Sequence, residues 1–94
     1  SKAALTSFTK SMSLEFGRYI SSIAIEPGAI KTKMLSAGFK NKKDLKNLKK
    51  IIPTNKIATP SDISDLVITL IEKDIRYLNG SVIDISGGIK NYLN

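Results

Sequence analysis

"YISSIAIEPG", residues 19–28, is the stretch on which the fold turns. Ile20, Ile23, Ala24 and Ile25 make a short apolar run rich in β-branched side chains, bounded by Gly17 before and Pro27-Gly28 after. A run this short, punctuated in that way, predicts a buried strand. The same pattern recurs in "YLNGSVIDISGG", residues 77–88. There an Asn79-Gly80 turn leads into a strand around Ser81–Ile85, and Gly87-Gly88 stop it. Between the two lies "ATPSDISDLVITLIEKD", residues 58–74. Thr59 can cap a helix, Pro60 suits its first position, and Asp62 stands where a capping box places its acidic partner. Ile63, Leu66, Val67, Leu70 and Ile71 give that helix a wide apolar stripe. Two apolar strands joined through a helix predict parallel pairing with a right-handed crossover.

Working outward, "SKAALTSFTKSMSLEFG" at residues 1–17 is already helical in pattern from its start. Leu5, Phe8, Met12 and Phe16 recur at spacings of three and four, and Gly17 is read as the stop. Residues 31–52 are mixed. They hold a predicted helical turn near Thr32–Ala37, a break at Gly38, and a lysine-rich helix whose Leu45, Leu48 and Ile52 share a face until Pro53 ends it. The order is helix, strand, helical insertion, helix, strand. Parallel sheets are covered by helices on both faces and extend beyond two strands. The elements therefore predict one end of a larger α/β domain, incomplete as a stand-alone unit.

Composition narrows the chemistry. At 94 residues, 41% hydrophobic and 24% charged, the chain is one globular unit at most. Without Cys it has no disulfide framework and no thiolate metal site. Without His it lacks the usual neutral-pH base, and a Ser-His-Asp triad is impossible. No stretch reaches the ~20 apolar residues of a membrane span, and no signal peptide is visible. The expected location is cytoplasmic.

Read in order, "SKAALTSFTKSMSLEFG", "SIAIEPGAIKTKM", "IPTNKIATPSDISDLVITLI" and "YLNGSVIDISGG" resemble the C-terminal part of a short-chain dehydrogenase/reductase. The resemblance runs over essentially the whole chain. It implies that residues 1–94 are the C-terminal portion of a Rossmann-type doubly wound parallel sheet, with 31–52 as the substrate-loop or lid region. The parent would be an NAD(P)-dependent oxidoreductase moving hydride between nicotinamide and a carbonyl or alcohol, similar to 3-oxoacyl-ACP reductases. Ser1-Lys2 matches the end of that family's Tyr-x-x-x-Lys motif, so the chain is expected to be truncated within the motif and inactive alone. The resemblance makes Lys2 catalytic and a ligand of the nicotinamide ribose hydroxyls. Its ammonium would also lower the pKa of the motif's tyrosine. Pro27, Gly28, Ile30 and Thr32 become cofactor-binding: the Ile30 backbone for the carboxamide, the Thr32 hydroxyl for the carboxamide or pyrophosphate. No metal is implied. The cofactor is NAD or NADP, bound tightly by neither choice in these 94 residues alone.

Charge is concentrated in "KNKKDLKNLKK", residues 40–50, where six lysines face Asp44 alone within a chain of net charge +7. Two readings stay open: attraction of an anionic substrate, such as an acyl-carrier protein, a coenzyme A ester or a nucleotide sugar, and the plain solvated face of a lid helix. Nucleic acid is not expected, since only Phe39 lies nearby for stacking. The resemblance further implies a homo-oligomer through the first helix and the last helix and strand, with Ile89, Tyr92 and Leu93 in the tail. The competing functional reading is a non-catalytic oligomerisation or interaction module.

Overall fold

The computed structural model describes residues 2–30 and 42–89. Thr32, the predicted turn to Ala37, Gly38, Phe39 and the tail residues Tyr92 and Leu93 lie outside them. The elements run α1 (Lys2–Phe16), β1 (Ala24–Pro27), α2 (Lys42–Ile51), α3 (Pro60–Lys73), a 3-10 turn (Arg76–Leu78) and β2 (Val82–Ile85). The predicted order and types hold. The 3-10 turn was not expected.

β1 and β2 pair in parallel, with Ala24 opposite Val82 and Pro27 opposite Ile85. The hydrogen bonding continues past both ends: Gly80 N–H donates to Ser22 O at 2.7 Å, and Gly28 N–H donates to Ile85 O at 3.1 Å. The Asn79-Gly80 step is not a hairpin turn. Leu78 O accepts from Ser81 N–H at 2.9 Å, and Gly80 takes φ +84° where a type II turn requires a positive value. The turn feeds a parallel strand that arrives from a helix.

α3 starts as its sequence dictates. Asp62 N–H donates to Thr59 Oγ1 at 3.4 Å, and Thr59 N–H donates to Asp62 Oδ2 at 2.8 Å, completing the reciprocal capping box. The Thr59 backbone N–H holds the Asp62 carboxyl below its ordinary value, helped by the Thr59 hydroxyl and by Lys56. A carboxylate whose folded-state pKa is depressed stabilises above its unfolded pKa of about 3.9, and that contribution disappears as pH falls through the folded value. The helical circular-dichroism signal of wild-type chain is therefore expected to fall more steeply below about pH 4 than that of Asp62→Asn.

α1 leaves its apolar stripe largely open. Of the stripe read from the sequence, Leu5 is 58% and Phe8 61% exposed. The buried residue is Thr9, whose hydroxyl donates back to Leu5 O at 2.9 Å. On α3, Ile63, Leu66 and Leu70 are half-buried while Ile71 is 73% exposed. Among the described residues only Ala24 and Ile52 are buried apolar side chains. The radius of gyration is 15.6 Å, against about 12.4 Å for a compact domain of this length. A groove of about 520 Å³ separates β1 from α3, lined by Ile20, Ile23, Ile25, Val67, Leu70 and Ile71 among others. This is half of a layered architecture, with helices and sheet in place and much of each apolar face uncovered.

Candidate functional site

In a parallel sheet, ligands bind beyond the carboxyl ends of the strands. Here those ends are Pro27 and Ile85, and the loops leaving them touch. A Cβ on residue 28 would lie 2.7 Å from Ser86 Cβ and 2.9 Å from Ser86 Cα. Gly28 is therefore required by close approach of the two strand-exit backbones, a structural reason in addition to the one expected from a ligand. Beyond it, Ile30 is held opposite Ala58 by a parallel bridge. Its side chain lines an apolar groove of about 580 Å³ with Pro60, Ile63, Ser64, Val67 and Ile68 of α3.

Lys2 is the first residue of α1 and is exposed. The other end of that helix is anchored. Asn79 accepts from Ser22 N–H at 2.9 Å and donates from Nδ2 to Ser13 O at 3.0 Å, so one side chain fastens the last turn of α1 to the entry of β1. From that clamp α1 runs back over about 22 Å to Lys2. Pro27, Gly28 and Ile30 lie along one strand exit, and Lys2 lies on a separate element. Thr32 lies outside the described residues.

Sequence reasoning missed Asn79, whose Asn-Gly context signals a turn and hides the second use of its carboxamide. Gly17 does follow the last residue of α1, but without a positive φ, so it serves for space rather than for a left-handed cap. A Cβ there would meet Asn79 Nδ2 at 2.9 Å, so Gly17 makes room for the clamp.

The donor set fits one end of a dinucleotide. An ammonium suits ribose hydroxyls, and a strand-exit backbone beside an apolar side chain suits a carboxamide-bearing ring. The described residues hold no group of three His, Cys, Asp or Glu placed for a metal. No described helix is long and apolar enough to cross a membrane.

Comparison with known proteins agrees with this fold. The family model described as Enoyl-(Acyl carrier protein) reductase matches residues 1–90. The chain is 35% identical over 100 residues to the hydroxynaphthalene reductase-like protein Arp2 of Metarhizium brunneum, covering 94% of this chain and 38% of that protein. A short chain dehydrogenase family protein from Francisella tularensis superposes with a TM-score of 0.84 at 29% identity, over 96% of this chain and 41% of that one. 4-Hydroxyisoleucine dehydrogenase complexed with NADH superposes with a TM-score of 0.84 at 33% identity, over 96% and 37%. The chain spans about two-fifths of the length of these relatives. With its parallel Rossmann-type strands and this match along nearly its whole length, the chain belongs to the short-chain dehydrogenase/reductase family of oxidoreductases.

Proposed function

We propose that these 94 residues form the nicotinamide-side wall of an NAD(P)-dependent oxidoreductase acting on a carbonyl or alcohol. The observation that carries the reading is the pair of touching strand exits, Gly28 against Ser86; the reading itself puts Lys2 of α1 beside them. Lys2 would hold the ribose hydroxyls, and the Pro27–Ile30 backbone would orient the carboxamide and so choose the ring face. Thr32 would contribute its hydroxyl. When bound, the dinucleotide supplies hydride chemistry. The protein's part is to position it and to stabilise charge. The Lys2 ammonium would favour the phenolate form of a tyrosine that this reading places outside the 94 residues. NADH in the related 4-hydroxyisoleucine dehydrogenase supports a dinucleotide, and the enoyl-(acyl carrier protein) reductase family model supports a reductase.

In this reading the chain alone turns over nothing and binds neither NAD nor NADP tightly. It acts in the cytoplasm, away from membranes and nucleic acid, and assembles with copies of itself through α1 and through α3 with β2. The exposed Leu5, Phe8, Leu14 and Phe16 also favour a second reading, a non-catalytic association module. One experiment separates the two. The chain is joined behind the N-terminal part of the Francisella tularensis relative that it does not match, and NADH and NADPH oxidation is followed with a panel of ketones and aldehydes. Turnover by the chimera and none by the isolated chain supports the oxidoreductase. A folded chimera that binds dinucleotide without turnover supports the module.

A further inference from the structure

The nicotinamide wall uses none of the lysines of α2, and these are concentrated on one side. Lys43, Lys46, Lys49 and Lys50 are all exposed. At about 100° per residue they share an arc opposite Leu45, Leu48 and Ile51. The next residue, Ile52, is only 3% exposed and packs where a Cβ on Gly87 would meet its Cγ2 at 2.8 Å. Thr54 N–H then donates to Gly87 O at 3.1 Å. The carboxyl end of α2, with Lys49 and Lys50 in its last turn, is thereby tied to the exit of β2.

At that junction lies a cleft of about 260 Å³, lined by Ala29 from the β1 exit, Thr54, Lys56, Asp62, Ser86 and Gly87 among others. It opens where the two strand exits meet. Its acidic member, Asp62, stays ionised, with Oδ2 accepting from the Thr59 N–H at 2.8 Å and hydroxyl at 3.2 Å. Its charge is offset by Lys56, so the excess positive charge comes from α2. The remaining polar groups facing it include a hydroxyl and an ammonium, both of which donate to phosphate oxygens.

We infer that this cleft and the lysine face of α2 together bind a polyphosphate group carried by a small-molecule substrate, remote from its reacting carbon. Lys56 and Thr54 take the phosphate that enters the cleft, and the lysines of α2 raise the local concentration of the anion. The concavity has the size of a small group, which separates this occupant from the broad acidic face of a protein. A lipid surface fits less well. Ile52 is buried and Leu45 and Leu48 are half-buried, which leaves Ile51, 48% exposed, as too little apolar surface on α2 to enter a bilayer. The inference rests on the oxidoreductase reading only in making the phosphate part of a substrate. Binding is measured without hydride transfer, so either can fail alone.

The test is calorimetric titration of the 94-residue chain with inorganic tripolyphosphate at low ionic strength. Saturable binding at one site is expected, weakening as salt is added. Replacing Lys46, Lys49 and Lys50 together by Gln should weaken it about tenfold, the sum of three modest exposed pairings. Replacing Lys10, Arg18 and Lys73 by Gln removes the same charge elsewhere and should change affinity by about twofold at most. Thr54→Val, which alters no charge, should cost about threefold through one lost hydrogen bond. Circular dichroism of each variant confirms retained helix. No binding to wild-type chain would overturn the inference. So would equal losses in the two triple variants, or tighter binding of an octaglutamate peptide than of tripolyphosphate, which would point to an acidic protein surface.

Discussion

Lys2→Met in the chimeric enzyme is expected to lower turnover on the order of 10²- to 10³-fold while leaving the fold unchanged. Lys2 is an exposed first-turn residue, and a cation there opposes the helix dipole, so its removal should not destabilise α1. On the proposed function the loss would come instead from the charge it holds near the reacting phenol. An ammonium about 4 Å from a phenolate at an effective dielectric near 20 is worth about 4 kcal/mol, roughly three powers of ten. The pH profile carries the diagnosis. Without the ammonium the phenol's pKa rises, so the limb of the rate profile that reports it should move to higher pH. Lys2→Arg keeps the charge but not the compact three-donor head, and should recover only part of the rate. A Lys2→Met chimera within twofold of wild type would remove Lys2 from the catalytic account.

Gly28→Ala should destabilise the chain by about 1–3 kcal/mol, the usual cost of forcing extra volume into a filled space. The new methyl would sit 2.7 Å from Ser86 Cβ and 2.9 Å from its Cα. The second of these is backbone and cannot swing aside. Moving it separates the strand exits and strains the Gly28 N–H bond to Ile85 O. With only Ala24 and Ile52 as buried apolar side chains among the described residues, little else holds the strand pair. Urea unfolding followed by circular dichroism should show a lower midpoint for Gly28→Ala. Adding Ser86→Gly should restore part of it, because that removes the nearer of the two contacts. An unchanged midpoint in Gly28→Ala would mean that the glycine is reserved for a ligand alone.

The strands and α3 were legible because their signals are local. Pro27-Gly28 and Gly87-Gly88 punctuate the apolar runs, and Thr59, Pro60 and Asp62 write the helix start that the structure makes. α2 was legible for the same reason, with its lysines and leucines at helical spacing. The inward face of α1 was not. Its apolar stripe is plain in sequence, but burial depends on what covers it, and Thr9 is the side chain that the rest of the chain covers. The Asn79 clamp was hidden for a different reason. It joins residues separated by 57 and 66 positions, and no local pattern encodes such a contact. At the candidate site, sequence pointed to Pro27, Gly28 and Ile30 as a strand exit. It could not show that the glycine is pinned by Ser86 from the neighbouring strand.

The central claim is that this chain contributes the lysine and the strand-exit wall of a dinucleotide oxidoreductase site without being the whole of it. It is tested most directly by the rate of NADH and NADPH oxidation measured side by side for the isolated chain and for the chimera. The account predicts turnover in the chimera alone, lost with Lys2→Met. Turnover by the isolated 94-residue chain with no added protein would contradict it.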